Sequence, residues 1–182
     1  MFFDEKNPKL REMIDTARKK LPEQEFEKIS LFEVFPSQYC FAGYWNSSRK
    51  EVRTTIMKWG YTGFHGNTVI NARSETCFES SFFAGSFPCA IPATGYYEWS
   101  VNPRRKYEFT IEEQPFYLGG IFHMENKEPH FVILTEEAGE PQRQIHSRQP
   151  LLFTYENAKK WCAAKHPASL RCLSVSKRMT VS

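Results

Sequence analysis

Four runs of residues decide the fold, namely CAIPATGYYEWS (89–100), KYEFTI (106–111), FYLGGIF (116–122) and HFVILTEEA (130–138). They are rich in aromatic and β-branched residues, which favour strands, and turn-forming residues separate each run from the next. NARSET (71–76) adds a shorter strand-like run before them. Short strands at short intervals are typical of an antiparallel sheet or barrel.

The flanking segments extend this sheet and add helices at both ends. Residues 39–44 and 52–59 read as a hairpin, because Asn46, Ser47 and Ser48 form a turn between them. Residues 8–20 carry apolar side chains at helical spacing, residues 22–29 favour a second short helix, and residues 155–164 follow Thr154 as a helix N-cap. Residues 170–175 read as a last strand. We therefore predict one sheet-dominated α+β domain over residues 1–182, mostly antiparallel strands in a barrel-like core with peripheral helices.

Composition excludes several classes of protein. Of the 182 residues, 41% are hydrophobic and 25% are charged, which is globular composition, and apolar runs such as 131–134 are too short to cross a bilayer. Acidic and basic residues follow Met1-Phe2-Phe3 at once, so no secretory signal is expected and the cytoplasm is the expected location. The net charge of +3 is compatible with a polyanionic partner without requiring one.

Neither the cysteines nor the histidines suggest a metal site. Five cysteines at irregular spacing, without a CxxC pair, are expected to be reduced and mostly buried thiols. The histidines at positions 65, 123, 130, 146 and 166 form no ligand motif. We expect no metal and no cofactor.

Four polar or aromatic patches interrupt the strand pattern and supply groups for chemistry. Together they offer a carboxylic acid among aromatics, an imidazole, an amide, guanidinium groups and indole faces, which suit a polar, anionic substrate. Singly, each has a structural explanation, since Glu98 fits the outward position of a strand and His146 fits a structural histidine. The patches are Trp59-Gly60, Asn71-Ala72-Arg73, 95–99 (GYYEW) and 145–148 (IHSR).

These patches lie in segments that closely resemble, in order and spacing, the signature blocks of the SOS response-associated peptidase (SRAP) family. The segments are WG (59–60), INARSET (70–76), CAIPATGYYEW (89–99) and IHSRQP (145–150), with a weaker likeness at EVFPSQ (33–38). The resemblance implies a sheet-rich fold with a DNA groove that captures abasic sites in single-stranded DNA. In that family an N-terminal cysteine closes a thiazolidine link with the sugar aldehyde. The name implies a peptidase or hydrolase, and the DNA chemistry resembles that of a lyase.

The resemblance also implies roles for six side chains. Asn71 and Arg73 would bind the abasic sugar and its flanking phosphate. Glu98 would orient the amine or exchange its proton, and His146 would act as general acid or base on the sugar ring oxygen. Trp59 would lie against a flanking base, and Arg148 would contact backbone phosphate.

Three departures from the family pattern stand beside these matches. The family begins Met-Cys-Gly-Arg, whereas this sequence reads Met1-Phe2-Phe3-Asp4, so the expected capture is non-covalent or a labile imine through the Met1 amine. Residues 77–88 hold no basic residue, although Arg104, Arg105 and Lys106 offer charge elsewhere. Gln149 stands where methionine is common.

Two other functions remain open. The domain is also compatible with a thiol peptidase that pairs Cys40 or Cys89 with His146, or with a nucleic-acid-binding module that has lost all chemistry. The expected partner is single-stranded DNA with abasic sites, bound by a monomer without membrane contact.

Overall fold

The computed structural model describes residues 1–4, 6–100, 103–111, 116–164, 167 and 179–181. The described helices are α1 (Pro8–Lys20), α2 (Glu23–Phe26) and α3 (Tyr155–Cys162). The described strands are β1 (Tyr39–Asn46), β2 (Glu51–Trp59), β3 (Tyr61–Thr62), β4 (Thr68–Val69), β5 (Asn71–Arg73), β6 (Phe87–Ala93), β7 (Gly95–Trp99), β8 (Lys106–Ile111), β9 (Phe116–Glu125), β10 (Glu128–Glu137), β11 (Arg148–Pro150), β12 (Leu152–Phe153) and β13 (Met179–Val181).

Five of the strands close into a ring. Their order is β10-β2-β1-β6-β9, and β9 pairs with β10 to close the circuit. Strands β11 and β5 also pair with β10, and β12 pairs with β9. Strands β7, β8 and β13 form a separate three-stranded sheet. The prediction of a sheet-dominated α+β fold with a barrel-like core and peripheral helices is confirmed.

Strand β10 also makes two parallel pairings, which the predicted antiparallel pattern does not include. It pairs in parallel with β2 at His130 and Phe131, and then with β5 from Ile133 to Thr135. The chain leaves β2 at Gly60, forms the small β3–β4 hairpin and returns as β5 in the original direction. Strands β2 and β5 therefore pair one after the other with the same edge of β10.

The core occupies both sides of the ring. One cluster includes Met1, Trp59 and Tyr96, and the other includes Ala72 and Trp161. Fully buried Trp161 anchors α3 because its Nε1 donates to the carbonyls of Cys89, at 3.0 Å, and Gly120, at 3.1 Å. Burial of so large an aromatic side chain contributes roughly 2–3 kcal/mol.

Most local predictions are confirmed. Helix α1 has the predicted bounds, and the Thr154 hydroxyl caps α3 by accepting from the Asn157 N–H at 3.3 Å. Helix α2 is shorter than predicted because Ile29 instead forms a parallel bridge with Tyr39. The predicted strand at residues 170–175 lies outside the described residues.

No helix in the described part of the chain has the length and apolar character needed to cross a membrane.

Candidate nucleic-acid interface and reactive pocket

Strand β10 aligns the four side chains predicted to contact DNA. The β-pairing places Trp59 opposite Phe131, Asn71 opposite Ile133, Arg73 opposite Thr135, and Arg148 opposite Glu137. These β10 residues are alternate, so they share one face of the strand at intervals of about 7 Å. Paired residues on neighbouring strands point to the same face. The structure therefore brings the four residues onto one face, with Trp59, Asn71 and Arg73 on one side of β10 and Arg148 on its other side, and we call this set the row along β10.

Asn71 and Arg73 form the exposed middle of this row. Both are exposed, whereas Ala72 between them is buried. Exposed and buried side chains thus alternate, as they do in a strand that has one face toward solvent. The amide and the guanidinium thus project from the same face of β5 toward solvent. Both are placed where a polyanionic chain could reach them.

Trp59 lies at the buried end of the row. Only 8% of its surface is exposed; its ring stacks on Phe131 and its Nε1 donates to the Ile70 carbonyl at 2.9 Å. Gly60 then turns the chain with φ +119°, and a Cβ there would lie 2.3 Å from the Thr68 side chain. The WG pair thus serves a tight, packed turn. Base stacking by Trp59 stays a prediction, and the face left for it is small.

Arg148 lies at the opposite end and is already paired. Its Nη1 and Nη2 donate to the two carboxylate oxygens of Glu75 at 2.8 and 2.7 Å, and Nη2 also donates to the Thr135 carbonyl at 2.6 Å. Its Nε is buried and has no hydrogen-bond partner among the described residues. Phosphate contact by Arg148 stays a prediction. It would require the guanidinium to share or exchange Glu75.

The N-terminal segment is held inside the fold by its backbone. The Phe2 N–H donates to the Gly95 carbonyl at 3.0 Å, and the Thr94 N–H donates to the Phe2 carbonyl at 3.1 Å. On the other side, the Val34 N–H donates to the Met1 carbonyl at 2.9 Å. Gly95 is needed there because a Cβ would lie 2.0 Å from the Phe2 ring and 2.7 Å from the Phe109 carbonyl. The segment therefore lies between residues 33–34 and the start of β7.

This placement buries the α-amino group of Met1. The residue is 5% exposed, and its amine donates to the Val34 carbonyl at 3.3 Å. Burial lowers the pKa of the amine from 8.0 to about 6, against the charges of Glu33 and Glu98, which act to raise it. The amine is therefore largely unprotonated, and so nucleophilic, at neutral pH.

Glu98 lies close enough to the Met1 amine and to His146 to interact electrostatically with both, and we call these three groups the reactive pocket. Burial raises the pKa of the Glu98 carboxyl, while the charges of His146 and the Met1 amine oppose that shift. The Nδ1 atom of His146 lies 3.1 Å from the carbonyl oxygen and 3.2 Å from the nitrogen of Arg148. Nε2 is therefore the ring nitrogen left for the pocket. Two residues distant in sequence thus meet beside a primary amine.

Charged and aromatic residues, which we call the rim, lie on and beside the face of β7 opposite Glu98. The Lys106 ammonium lies 3.5 Å from the centre of the Tyr97 ring and 3.2 Å from the Glu33 carboxylate. Trp99 is 40% exposed and packs near Tyr97, so it lies on the face of β7 opposite that of Glu98. Arg104 and Arg105 are exposed in the connection between β7 and β8. The rim thus combines positive charge with an exposed aromatic surface on that face of the strand.

Cys40 and Cys89, the two thiols considered for a peptidase, are poorly placed to act as nucleophiles. Cys40 and Cys89 are fully buried, and burial raises the pKa of Cys40 to about 12 and that of Cys89 well above its ordinary value. Cys40, Cys77, Cys89 and Cys162 are free, and Cys172 lies outside the described residues. Within the described ranges, no group of three or more His, Cys, Asp or Glu side chains could hold a metal ion.

Two surface grooves lie away from this pocket. One, of about 570 Å³, is lined by residues of α1, α3 and the sheet, including Met13, Pro92 and Tyr155. The other, of about 790 Å³, is lined by aromatic residues including Tyr44 and Phe87. None of the six predicted site residues lines either groove.

Sequence reasoning did not predict three features of this region, which are the pairing of Arg148 with Glu75, the burial of the Met1 amine, and the burial of the Gln142 side chain between Tyr96 and Arg148. Glu75 lies two residues after Arg73 within NARSET. An acid so close to a predicted phosphate site could have indicated that it pairs with a nearby basic residue. The burial of the Met1 amine had no signal in the local pattern, because long-range backbone hydrogen bonds create it. Gln142 also lacked a signal, since an isolated glutamine in a polar turn reads as solvated.

The fold and the pocket define a class of protein, a sheet-dominated α+β domain whose ringed sheet bears a row of polar residues beside an amine, an acid and an imidazole. The family model described as SOS response associated peptidase (SRAP) matches residues 3–181. The chain belongs to the SRAP family.

The relatives agree with this membership, and two solved structures share the fold. The chain is 31% identical over 162 residues to abasic site processing protein YoqW of Bacillus subtilis, covering 80% of this chain and 71% of that protein. It is 34% identical over 113 residues to YobE of the same species, covering 56% of this chain and 52% of YobE, so this match spans about half of that relative. A Bordetella bronchiseptica structure matches with a TM-score of 0.68 at 18% identity over 82% of this chain and 85% of that chain. A Bacteroides thetaiotaomicron structure matches with a TM-score of 0.63 at 21% identity, covering 80% and 73% respectively.

Proposed function

We propose that this protein binds abasic sites in single-stranded DNA and holds the sugar aldehyde as a labile imine on the Met1 amine. The observation that carries the proposal is the buried, largely unprotonated amine beside Glu98 and His146. The names of the relatives YoqW and YobE, both abasic site processing proteins, support the choice of lesion.

The chemistry starts from the electrophile that an abasic site offers. The sugar exists partly as a ring-opened aldehyde, and the amine lone pair attacks its carbonyl carbon to form a C–N bond. A proton moves from nitrogen to oxygen, and loss of water leaves the C=N bond of the imine. An amine with an ordinary pKa of about 8 would be mostly protonated at neutral pH and would react slowly. Lowering that pKa is therefore the contribution of the fold.

Glu98 and His146 supply the proton transfers in this proposal. Because burial raises its pKa, the Glu98 carboxyl can both give and take a proton closer to neutral pH than an ordinary carboxyl can. It would take the proton from the attacking nitrogen and return it to the departing water. His146 would assist opening of the sugar ring through Nε2, because Nδ1 is engaged with the Arg148 backbone.

Recognition of the strand rests on the row along β10. Asn71 and Arg73 are exposed side by side, so the amide can bind the sugar while the guanidinium binds a flanking phosphate. Non-specific attraction would come from the charges and lesion specificity from the pocket.

The test is reductive trapping with the 182-residue chain. Borohydride adds hydride to the imine carbon and leaves a stable secondary amine. We expect a trapped adduct with an oligonucleotide that carries one abasic site and none with the intact oligonucleotide, and peptide mass spectrometry should place the link on Met1. Glu98→Gln should lower the rate of trapping by about 10²-fold or more.

The matched control is the same chain with two residues added before Met1. The added residues displace the amine from its pocket, so trapping should be lost while affinity for abasic DNA remains. Equal affinity for abasic and intact strands, together with no adduct, would contradict the proposal. Binding that prefers the abasic strand without any adduct would instead leave a binding module without chemistry.

A further inference from the structure

The side chain of Gln142 is wholly buried, and both ends of its amide are used. The Tyr96 hydroxyl donates to its Oε1, and its Nε2 donates to the Arg148 carbonyl at 3.0 Å. Gln144, two residues further on, is exposed, and its amide donates to the Glu140 carboxylate at 3.0 Å. Burial of an uncharged amide is favourable only when its hydrogen bonds are satisfied, so Gln142 is fixed in one orientation.

The backbone of Gln142 adds to this arrangement. Its carbonyl accepts from the N–H groups of Ile145, at 2.8 Å, and His146, at 2.9 Å. The main chain of Gln142 therefore hydrogen-bonds to the turn that contains His146. Its side chain hydrogen-bonds to Arg148, the first residue of β11 after that turn. Gln142 thus stabilises the turn at both of its ends.

Tyr96 connects this turn to β7, the strand that bears Glu98. Tyr96 and Glu98 are two residues apart on β7, so they share one face of the strand. Tyr96 is itself fixed, since its ring stacks on Phe109 at 5.2 Å and only 3% of its surface is exposed. The bond between Tyr96 and Gln142 thus joins the element that carries the acid to the element that carries the imidazole.

We propose that Gln142 is the positioning residue of the pocket: it fixes the distance between Glu98 and His146 and selects the His146 tautomer that carries its proton on Nε2. The proposal rests on the proposed function for its chemical meaning, because both groups serve the imine there.

The tautomer follows from the shared Arg148 peptide group. The Arg148 carbonyl already accepts from the Gln142 amide, while the Arg148 N–H points to Nδ1 of His146 at 3.2 Å. Because Gln142 already donates to the Arg148 carbonyl, that carbonyl does not need a proton from His146. This favours the tautomer in which His146 Nδ1 accepts from the Arg148 N–H. The ring proton then resides on Nε2, the nitrogen that faces the pocket.

The variant that tests this inference is Gln142→Met, which keeps the length of the side chain and removes both polar ends. Gln144→Met is the matched control, because it makes the same change two residues away at an exposed position. Two measurements are needed. The first is the ¹⁵N NMR signature of the His146 ring in the protein without DNA, assigned with His146→Ala. The second is the rate of borohydride trapping on abasic single-stranded DNA.

We expect the wild-type ring to show the tautomer protonated on Nε2 and Gln142→Met to show a mixture. Trapping by Gln142→Met should slow on the order of tenfold while DNA affinity is unchanged, because misplacement of a reacting group affects the chemical step. Gln144→Met should match the wild type in both measurements. If Gln142→Met keeps both the wild-type tautomer and the wild-type rate, the inference is wrong.

Two further outcomes are also decisive. If the wild type forms no adduct, the proposed imine fails, and the NMR signature alone then decides whether Gln142 positions His146. If Gln142→Met does not fold, Tyr96→Phe replaces it, since it removes only the hydroxyl that Gln142 accepts from. A ring signature unchanged in Tyr96→Phe would then overturn the inference, and a shift toward the tautomer mixture would support it.

Discussion

The Met1 amine is the residue-scale feature on which the proposed chemistry depends. Its pKa falls because burial removes water from the charged form, and the nearby carboxylates of Glu33 and Glu98 do not compensate. A group with a lowered pKa loses its proton at a lower pH than usual. The nucleophilic form is therefore present from about pH 6 upward.

This gives a prediction for the pH dependence of trapping. The rate with abasic single-stranded DNA should rise with a midpoint near pH 6, the pKa of the amine, and level off above it. A peptide with the N-terminal sequence MFFD, whose amine has an ordinary pKa of about 8, should show its midpoint about two units higher. Quenched time courses between pH 5 and 9 on both molecules measure this directly. Coincident midpoints for protein and peptide would show that burial does not tune the amine.

Sequence reasoning reached some of these residues and not others. Glu98 and His146 were noticed as an acid among aromatics and an imidazole near the end of the sheet region, and the family resemblance supplied their predicted roles. In the structure the two groups interact electrostatically. The Met1 amine was predicted as the group that forms an imine, but its burial and the role of Gln142 could not be predicted, because these contacts come from residues 30 or more positions away, such as Val34 and Tyr96. Local patterns carry no information about such contacts.

At the scale of elements, the junction of β5, β10 and β11 depends on the pairing of Arg148 with Glu75. The guanidinium spans from the loop after β5 to the Thr135 carbonyl on β10. Its side chain is 22% exposed and that of Glu75 is 40% exposed, so solvent screens the pair only in part. The bidentate geometry makes the pair stronger than an ordinary surface ion pair.

We therefore predict that Arg148→Leu lowers the free energy of unfolding by about 1–3 kcal/mol, since it breaks the hydrogen bonds to Glu75 and Thr135. The control is Arg143→Leu, which breaks the more exposed pair with Glu137, whose side chains are 59% and 73% exposed. That loss should be no more than about 1 kcal/mol. Urea denaturation of both variants gives the comparison. Equal losses would mean that the junction does not depend on Arg148.

The elements themselves were largely predictable. Helix α3 follows from the Thr154 cap and the hairpin of β1 and β2 from its turn residues, because both signals are local. The parallel pairings of β10 with β2 and β5 were not predictable, because they arise from the path of the chain after Gly60. The residues of β2 and β5 do not indicate that each will pair with β10.

For the whole molecule, a net charge of +3 gives only weak attraction to DNA, so the placement of each cation matters more than the total. Arg73 projects from the row along β10, whereas Arg53 lies exposed on β2 next to Glu51. Only the first arginine belongs to the proposed path of the strand.

Arg73→Gln should therefore weaken binding to single-stranded DNA and reduce the slope of log K against log salt by about 0.7, the value for one lost phosphate contact. Arg53→Gln should leave the slope unchanged. Fluorescence anisotropy over a series of salt concentrations measures both. The same loss of slope in the two variants would point to general charge attraction and would remove Arg73 from the interface.

The alignment of Trp59, Asn71, Arg73 and Arg148 with alternate residues of β10 has a consequence for how this surface can change. All four pair with β10 residues that point to the same face. Deleting or inserting a single residue within β10 would therefore turn the neighbouring β10 positions to the opposite face. Point substitutions would remove these contacts one at a time, whereas a one-residue length change would misplace several together. The length of β10 between Phe131 and Glu137 should therefore be constrained more strongly than the identity of any one side chain along it.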